Sequence, residues 1–586
     1  MRQWMVAAKK ADFYAIAEKF HVDPVVARII RNREVIGEKN IRIYLGGNLS
    51  DLSDPHQMKD MDRLVEILAQ KIRKQVRIRI IGDYDVDGVT SSHLFLTALR
   101  RVGAKVDVVI PHRIQDGYGL SLHLLQQAKE DGVDTILTCD NGIAAIDEIA
   151  WAKAQKMTVL VTDHHAVPFE EHEGRRTEKK SLADAVVNPH QQDCGYPYKE
   201  LCGAGVAWNV IRVLYENYDM DKREAEDLLD FVAMATVCDV MSLTGENRIL
   251  VKEGLKRIRH TKNIGLQALM QACNVQPENI SAYHFGYVLG PCVNATGRLD
   301  TARHALRLFE TGQETEAEEI ARDLVDLNQE RKELTLQGVE MAKKLCEEGG
   351  YENDPVLVLF LPDVHESIAG LIAGRIREMY NRPVFVLTRG EEGVKGSGRS
   401  TENYSMYENM CGCAELFTKF GGHPMAAGLS LPEENVEKFR RKINENCPLT
   451  VEEVCPDIHI DMAMPVGYAS TELVHQFALL EPFGKDNPSP LFADRNLSIS
   501  RMWLIGKNRN VLRMSVFSEY GQPVPVIFFG DVETLFAYFT EKFGQKEVEN
   551  ALHGRKNRIL FSMVYTAKID FYQGNENLQL EMKYYR

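Results

Sequence analysis

Three carboxylates stand at alternate positions in the short segment Gly82–Gly88, whose sequence is Gly-Asp-Tyr-Asp-Val-Asp-Gly. Where the backbone is extended, Asp83, Asp85 and Asp87 point the same way, because strand side chains alternate between two faces. Carboxylates held so close together raise one another's pKa or bind a cation. An acidic turn is the alternative interpretation of this segment taken alone. An EF-hand calcium loop is disfavoured, because the bidentate Glu and the flanking helices are missing.

Further carboxylate and imidazole groups follow other apolar segments of the same region. Asp140 and the sequence Asp163-His164-His165 each come directly after a predicted strand, and Asp239 comes after an apolar helix. Each group alone has a simple structural explanation, such as a helix cap at Asp140 or surface histidines. Several such groups at the ends of successive strands instead indicate a shared site.

The elements that must position these groups are short apolar strands alternating with helices, from about residue 76 to 245. This pattern predicts a parallel sheet with crossover helices. The strands are expected at 77–81, 106–110, 135–139, 158–162 and 185–188. Open parallel sheets bind ligands beyond the carboxyl ends of their strands, where these polar groups are expected.

The rest of the 586-residue chain predicts further domains, because so long a chain exceeds one ordinary core. In the second α/β unit, two glycine-rich stretches, 396–400 and 421–428, are interpreted singly as turns. Weakened helical periodicity after Cys455 predicts a small β-barrel. The expected boundaries are a helical cap on the next domain at 1–75, the sheet domain at 76–299, a long helical connector at 300–349, the second α/β unit at 350–454 and the barrel at 455–586.

The composition is that of a soluble globular protein, with 44% hydrophobic and 26% charged residues. The sequence shows no apolar run of membrane-spanning length and no signal-peptide pattern, so we expect no membrane association. Eleven cysteines without a C-x-x-C pair favour reduced thiols in the cytoplasm. A net charge of -14 argues against nonspecific coating of DNA but leaves room for a local basic groove.

Taken together, the motifs resemble those of the DHH phosphoesterase superfamily and, within it, the bacterial single-strand-specific 5′→3′ DNA exonucleases. The resemblance covers nearly the whole chain and agrees in order and spacing. It implies a DHH catalytic domain, a DHH-associated domain and a C-terminal OB-fold-like barrel that binds nucleic acid. It rests on Gly82–Gly88, Cys139-Asp-Asn-Gly142, Asp163-His-His165, Ala235-Thr-Val-Cys-Asp239, Pro111-His-Arg113 with Gly117-Tyr-Gly-Leu120, Cys202-Gly-Ala-Gly205, Pro291–Arg298, Gly396-Ser-Gly-Arg-Ser400 and Gly421–Gly428.

The resemblance implies two divalent ions and metal-dependent hydrolysis of phosphodiesters. Asp85 and Asp140 would hold one ion, and Asp87, Asp140, His164 and Asp239 would hold the other. Oxygen and imidazole ligands without thiolate favour Mn²⁺, with Mg²⁺ as the second choice. Many relatives have a His four residues before the Asp85 position. This chain has Ile81 there, so Asp83 or water is expected to complete the first ion's ligands.

The same resemblance assigns residues to the substrate. His165 would contact the scissile phosphate, and His423 would close the cleft. Arg298 and Arg399 would clamp phosphate oxygens. The other expected nucleic-acid contacts are Arg113 and Tyr118 at the 5′ end, Asn294 and Ser397. For each arginine, a surface ion pair is the alternative. Near the barrel, Asp486 stands where the family pattern has a glycine.

The expected function is therefore single-strand-specific 5′→3′ exonuclease activity on DNA in recombination and repair. A single-strand-binding protein and a helicase are the candidate partners, and the expected state is a monomer. One alternative is a DHH phosphodiesterase for short oligoribonucleotides or cyclic dinucleotides, which the barrel, cap and connector disfavour. The other is a non-catalytic replication scaffold, which the intact carboxylates and His164 disfavour.

Overall fold

The computed structural model describes residues 3–112, 119–172, 175–299, 302–351, 353–390, 393–506, 511–572 and 574–586. These residues form two compact units. Unit 1 contains mainly Leu52–Met241 and Ile249–Pro456. Unit 2 contains Gln3–Asp51, Ser242–Arg248 and Asp457–Arg586. No helix in the described part of the chain is both long enough and apolar enough to cross a membrane.

The N-terminal segment is divided between the two units. Its elements are β1 Trp4–Val6, α1 Phe13–Phe20, α2 Pro24–Asn32, α3 Glu38–Gly46 and α4 Met61–Arg73. Val26, Ile29 and Ile30 of α2 are buried in one core with Met464 and Phe492, so the first helices pack within unit 2. The sequence predicted a single cap over 1–75 on the next domain. Instead, only α4 joins that domain, because the apolar face of α2 is covered by residues beyond 460.

The sheet domain of unit 1 has a five-stranded parallel sheet in the order β3-β2-β4-β5-β8. The strands follow the predicted bounds to within one residue, and β6 and β7 form a separate hairpin. The strands are β2 Arg77–Ile81, β3 Lys105–Val109, β4 Thr135–Cys139, β5 Thr158–Thr162, β6 Phe169–His172, β7 Arg175–Glu178 and β8 Ala185–Val187.

Helices surround this sheet and continue after it. They are α5 Val86–Arg101, α6 Leu122–Glu130, α7 Ile146–Ala154, α8 Gly203–Asn217, α9 Lys222–Glu226, α10 Leu229–Cys238, α11 Gly245–Ile258, α12 Ile264–Ala272, α13 Ala282–His284, α14 Gly290–Leu299 and α15 Ala302–Glu310. A π-helical turn, Phe285–Leu289, joins α13 to α14. Arg248 on α11 anchors its segment within unit 2 by donating to the carbonyl oxygens of Tyr44, Leu479 and Leu480 at 2.8–2.9 Å.

A single helix of 35 residues, α16 Glu314–Glu348, occupies the predicted connector and leads into the second α/β unit. Its mixed sheet has the order β12-β13-β11-β10-β9. The elements are β9 Leu357–Phe360, α17 Glu366–Tyr380, β10 Val384–Gly390, β11 Gly393–Arg399, α18 Met406–Cys411, β12 Lys419–His423, β13 Ala426–Leu431 and α19 Val436–Glu445.

The glycine-rich stretches of this unit lie mainly in strands β11, β12 and β13, whereas the sequence alone suggested turns. Packing explains the difference. A Cβ added at Gly396 would lie 2.4 Å from Leu387 Cδ2, so the leucine side chain of the neighbouring strand occupies the space that a glycine leaves there.

Unit 2 is built around a barrel. Its six strands run in the order β15-β16-β17-β18-β20-β19, and β16 pairs with β19 to close the ring. β14 pairs with β1 in parallel. Asp486 has φ +59°, the left-handed conformation that a glycine adopts easily and that Asp tolerates. The elements are β14 Ile458–Ile460, β15 Met462–Ala463, α20 Thr471–Phe477, β16 Phe492–Ile505, β17 Val511–Phe517, β18 Pro523–Phe528, α21 Val532–Phe543, α22 Gln545–Leu552, β19 Leu560–Tyr572 and β20 Asn575–Tyr585.

Candidate metal centre

The acidic loop after β2 is held by backbone amides. Asp85 caps α5 by accepting a hydrogen bond from Gly88 N at 3.0 Å. Asp87, in the first turn of α5, accepts from Gly203 N at 2.6 Å and Ala204 N at 2.7 Å. These amides open α8, so the positive end of a second helix dipole faces the Asp87 carboxylate. Two helix N-termini therefore hold two carboxylates in place.

Asp140 follows β4 in a left-handed backbone conformation, with φ +60°. The residue is buried, and Gly203 packs directly against it. A Cβ at Gly203 would lie 2.6 Å from Asp140 Cβ, which no real contact permits. Next to it, the Asn141 side-chain amide donates to Ile81 O at 3.0 Å and Cys139 O at 2.9 Å, which ties the turn to two strand ends. The position of Asp140 is therefore fixed from both sides.

His164 is the point where the separate segments meet. Its Nε2 atom lies 3.1 Å from Asp140 Oδ1, 3.6 Å from Asp239 Oδ2 and 3.7 Å from Asp87 Oδ2. Asp239 comes to this point as the C-cap residue of α10. One nitrogen facing three carboxylates from three segments is the arrangement expected around a divalent cation.

Three overlapping groups of side chains have ligand atoms within 4.8 Å of one another. They are Asp87 with His164 and Asp239, Asp83 with Asp85 and Asp140, and Asp140 with His164 and His165. Asp140 belongs to two of the groups, and its role as a bridging ligand stays a prediction. Asp83 joins Asp85 and Asp140 in one of the groups, and Ile81, at the end of β2, offers no ligand atom.

The electrostatics of the centre favour a bound cation. Burial, followed by the charge of Asp85, raises the pKa of Asp83 to about 8. Burial and neighbouring carboxylates likewise raise the pKa of Asp85 and of Asp140. Among the described residues, Asp83 Oδ1 and His164 Nε2 are buried and make no hydrogen bond. Buried polar atoms seldom lack a partner, so a cation with oxygen and nitrogen ligands fits this donor set.

Asp163 has a different task from the other carboxylates. Its Oδ1 accepts from the backbone amides of His164 and His165 at 2.7 and 3.0 Å, and His165 Nδ1 lies 2.8 Å from the same oxygen. Burial alone would lower the pKa of His165, but the hydrogen bond and charge of Asp163 outweigh it and raise that pKa to about 9. Burial likewise opposes ionisation of Asp163, yet His165 holds its pKa below the usual value. Asp163 therefore fixes the orientation of the His165 ring and favours its protonated form.

Helix α14 supports the acidic loop from the other side. Asn294 Oδ1 accepts from Val86 N at 3.1 Å, so this predicted nucleic-acid contact is bonded to the loop. A Cβ at Gly297 would lie 2.6 Å from Tyr84 O, which explains the glycine. Arg298 belongs to α14, but its side chain lies outside the described residues. Arg113 and Tyr118 lie outside them entirely.

Ser397, Arg399 and His423 lie together on the sheet of the second α/β unit. Arg399 and His423 are both paired in register with Ala426, on either side of β13. Ser397 lines a cavity of about 410 Å³ with Lys395 and Lys419, among others. Arg399 lines a different cleft, between α16 and α17, and His423 is exposed at the end of β12. The two glycine-rich stretches thus converge on one sheet.

Sequence reasoning missed the residues that hold the ligands. The motif Asp163-His164-His165 did not predict a role for Asp163. Its position directly before two histidines was the signal that could have indicated a hydrogen bond to one of them. No role was predicted for Gly203 and Ala204 either, yet their backbone amides donate to Asp87. Nothing in the sequence indicates that the opening amides of α8 face that carboxylate, because the contact joins residues more than 100 positions apart.

Three family models match successive parts of the chain. The DHH family N-terminal domain matches residues 77–236, the DHHA1 domain matches 353–447 and the RecJ OB domain matches 460–584. The fold and the site thus define a DHH-type phosphoesterase with a DHHA1 domain and an OB domain. These matches confirm the predicted family resemblance. They also confirm the predicted parallel-sheet catalytic domain and the C-terminal barrel.

Curated relatives and solved structures specify the family further. The single-stranded-DNA-specific exonuclease RecJ of Haemophilus influenzae is 32% identical over 582 residues, which is 96% of each chain. The Bacillus subtilis RecJ is 33% identical over 87% of this chain and 63% of its own length. The crystal structure of RecJ with Mn²⁺ from Thermus thermophilus has a TM-score of 0.81 at 25% identity, covering 100% of this chain and 79% of that one. The chain belongs to the RecJ family.

Proposed function

We propose that the chain is a single-stranded-DNA-specific exonuclease that degrades DNA 5′→3′ by metal-dependent phosphodiester hydrolysis, in recombination and repair. The observation that carries this proposal is the convergence of Asp87, Asp140 and Asp239 on His164 Nε2, at 3.1–3.7 Å. Family membership supports the substrate, because the Haemophilus and Bacillus relatives are named single-stranded-DNA-specific exonucleases.

In this proposal, two divalent ions occupy the centre. Asp85 and Asp140 hold one with help from Asp83, and Asp87, Asp140, His164 and Asp239 hold the other, as the overlapping groups suggest. RecJ crystal structures with Mn²⁺ and with Mg²⁺ support both metals as candidates. When bound, such a pair lowers the pKa of water and neutralises charge on the attacking oxygen and on the phosphoryl group.

The side chains position the substrate phosphate. The hydrogen bond from Nδ1 to Asp163 outweighs burial and raises the pKa of His165 in the metal-free protein, and the side chain is 40% exposed. It can therefore donate to a phosphate oxygen while Asp163 holds the ring. We assign Arg298, Arg399, Ser397 and His423 to the phosphates of the strand, and Arg113, Tyr118 and Asn294 to its 5′ part.

End-labelled substrates test the proposal directly. The chain should degrade single-stranded DNA from the 5′ end with Mn²⁺ and leave duplex DNA intact, and Asp140→Ala should abolish activity while retaining the fold. Degradation of short RNA in preference to DNA would support the oligoribonucleotide phosphodiesterase instead. Wild-type-like digestion by Asp140→Ala would reject the assignment of the site.

The OB domain favours the exonuclease over that alternative, because OB-folds are common platforms for single strands. A variant chain ending near Leu449 should therefore bind long oligonucleotides more weakly than the full chain. A monomeric cytoplasmic enzyme working beside a helicase and a single-strand-binding protein completes the proposal.

A further inference from the structure

A cleft of about 770 Å³ lies in unit 1 between the connector helix α16 and helix α17, away from the carboxylates. Its walls carry five cationic side chains and one carboxylate, Glu378, among the described lining residues. This balance is unusual in a chain whose net charge is -14. The cations are Arg331, Lys332, Arg375, Arg377 and Arg399. Such a groove fits a polyanion.

An aromatic pair stands at the same cleft. The rings of Tyr283 and Tyr287 are stacked, with centroids 5.1 Å apart and planes 23° apart. Tyr287 lines the cleft, and the two side chains are 62% and 70% exposed. Tyr287 lies in the π-helical turn, and such turns recur at functional sites. Large exposed rings held in parallel offer flat faces on which a base can stack.

Two further features indicate that the cleft is shaped for a ligand. Arg331 Nε is buried and makes no hydrogen bond among the described residues, although its Nη2 donates to Asn328. Gly374 lies inside α17 and lines the cleft, and a Cβ there would meet nothing within 4 Å. Glycine is unfavourable in a helix interior, and at this position its missing side chain leaves the backbone of α17 open to close approach by a ligand.

The cleft is connected to the catalytic domain by one run of helix. The π-helical turn that carries Tyr287 continues directly into α14, whose Asn294 bonds the acidic loop. At about 1.5 Å per residue, the seven positions between Tyr287 and Asn294 span about 10 Å. A strand with one end near the carboxylates is therefore long enough to reach this cleft.

We propose that this cleft is a second contact for single-stranded nucleic acid, in which Tyr283 and Tyr287 stack bases while Arg331 and Arg375 bind phosphates. The inference rests on the proposed function and adds the residues that hold the strand away from the site of cleavage. A polyanionic backbone and planar bases together account for both the cations and the exposed tyrosines. An acidic protein segment would account only for the cations.

Affinities for two polymers, one with bases and one without, distinguish base stacking from phosphate contacts. In the inactive Asp140→Ala background, anisotropy is measured with a 3′-fluorescein thymidine 20-mer and with an abasic 20-mer. The double variant Tyr283→Ala/Tyr287→Ala should bind the thymidine polymer at least about five-fold more weakly and the abasic polymer unchanged, because stacking needs a base. Arg331→Gln/Arg375→Gln should weaken both polymers equally. Tyr14→Ala and Arg223→Gln, which are exposed and do not line the cleft, are the matched controls.

Gly374→Ala provides an independent test, because it distinguishes a role of Gly374 in binding from a role in stability. It should raise the melting temperature, because alanine favours the helix, and it should weaken binding of both polymers, because the added methyl group stands where the strand would approach α17. With Asp140 intact, cleavage of a thymidine dinucleotide should be unchanged in all of these cleft variants.

Unchanged affinity of the folded tyrosine variant for the thymidine 20-mer, or equal loss on the abasic polymer, would overturn the inference. So would unchanged affinity of Gly374→Ala. These outcomes are separate from failure of the proposed function, in which the unmodified chain would not digest single-stranded DNA with Mn²⁺.

Discussion

The carboxylate centre and the basic cleft of unit 1 are constructed in opposite ways. At the centre, Asp87, Asp140 and His164 are buried, and backbone amides of Gly203 and Ala204 fix Asp87. In the cleft, Arg375 and Tyr287 are 70% exposed. Chemistry on a phosphate requires a preorganised site, because a small displacement of a catalytic group is costly. Holding a flexible strand requires only charge and flat surfaces that can adapt.

The largest effect should come from a substitution that moves a ligand without removing one. Gly203→Ala adds a Cβ that would lie 2.6 Å from Asp140 Cβ and so displaces that carboxylate. We expect kcat/KM to fall by about 10²-fold or more on single-stranded DNA and on a thymidine dinucleotide alike. Gly374→Ala, the same change in the cleft, is the control and should leave cleavage of a thymidine dinucleotide intact. An equal loss of dinucleotide cleavage in the two variants would remove the contrast between the carboxylate centre and the cleft.

A smaller loss is expected from Asp163→Asn. The change weakens the hold on His165 and its positive charge but removes no proposed metal ligand. Outer partners of this kind typically contribute about 10- to 100-fold to activity. Steady-state kinetics should show that loss, while calorimetry shows Mn²⁺ affinity changed by less than the loss of activity. A collapse of Mn²⁺ binding would instead make Asp163 part of the metal site.

Stability should respond in the opposite sense from activity. In metal-free protein, burial and neighbouring carboxylates raise the pKa of Asp140, so its ionised form destabilises the fold at neutral pH. Asp140→Asn should therefore stabilise the metal-free chain by about 2 kcal/mol in urea unfolding. Mn²⁺ should stabilise the wild type more than the variant, because only a site with intact ligands binds it well. Equal responses to Mn²⁺ would contradict this.

The smallest effect concerns salt. Each phosphate contact removed from a single strand should reduce the slope of log affinity against log salt by about 0.7. Arg331→Gln should show this reduction in salt titrations with the Asp140→Ala background. Arg223→Gln, already paired with Asp221, should not. An unchanged slope for Arg331→Gln would place that guanidinium outside the strand's path.

Much of the fold could be predicted because local signals were consistent. The parallel strands were found almost to the residue, since each is a short apolar run that ends in polar groups. Strand β20 was not predicted, because only Leu580 and Met582 among its residues are buried. The placement of α1–α3 could not be predicted either. Periodicity shows that a helix has an apolar face but not which distant segment covers it.

The residues of the candidate site also fall into those that could be predicted and those that could not. That the proposed ligands lie close together was predictable, because acidic and imidazole residues after successive strands must meet at one sheet edge. The residues that hold them were not, since Gly203 and Gly297 act through the absence of a Cβ at a contact made only in three dimensions. Whether Arg298, Arg399 and His423 contact the substrate stays a prediction.

The central claim is that side chains from distant segments form one centre for two ions that share Asp140. Electron paramagnetic resonance of the protein titrated with Mn²⁺ tests it most directly. The account predicts a spin-coupled pair at two equivalents, with the coupled signal lost in Asp140→Ala. A single uncoupled ion in the wild type, or an unchanged coupled spectrum in Asp140→Ala, would contradict it.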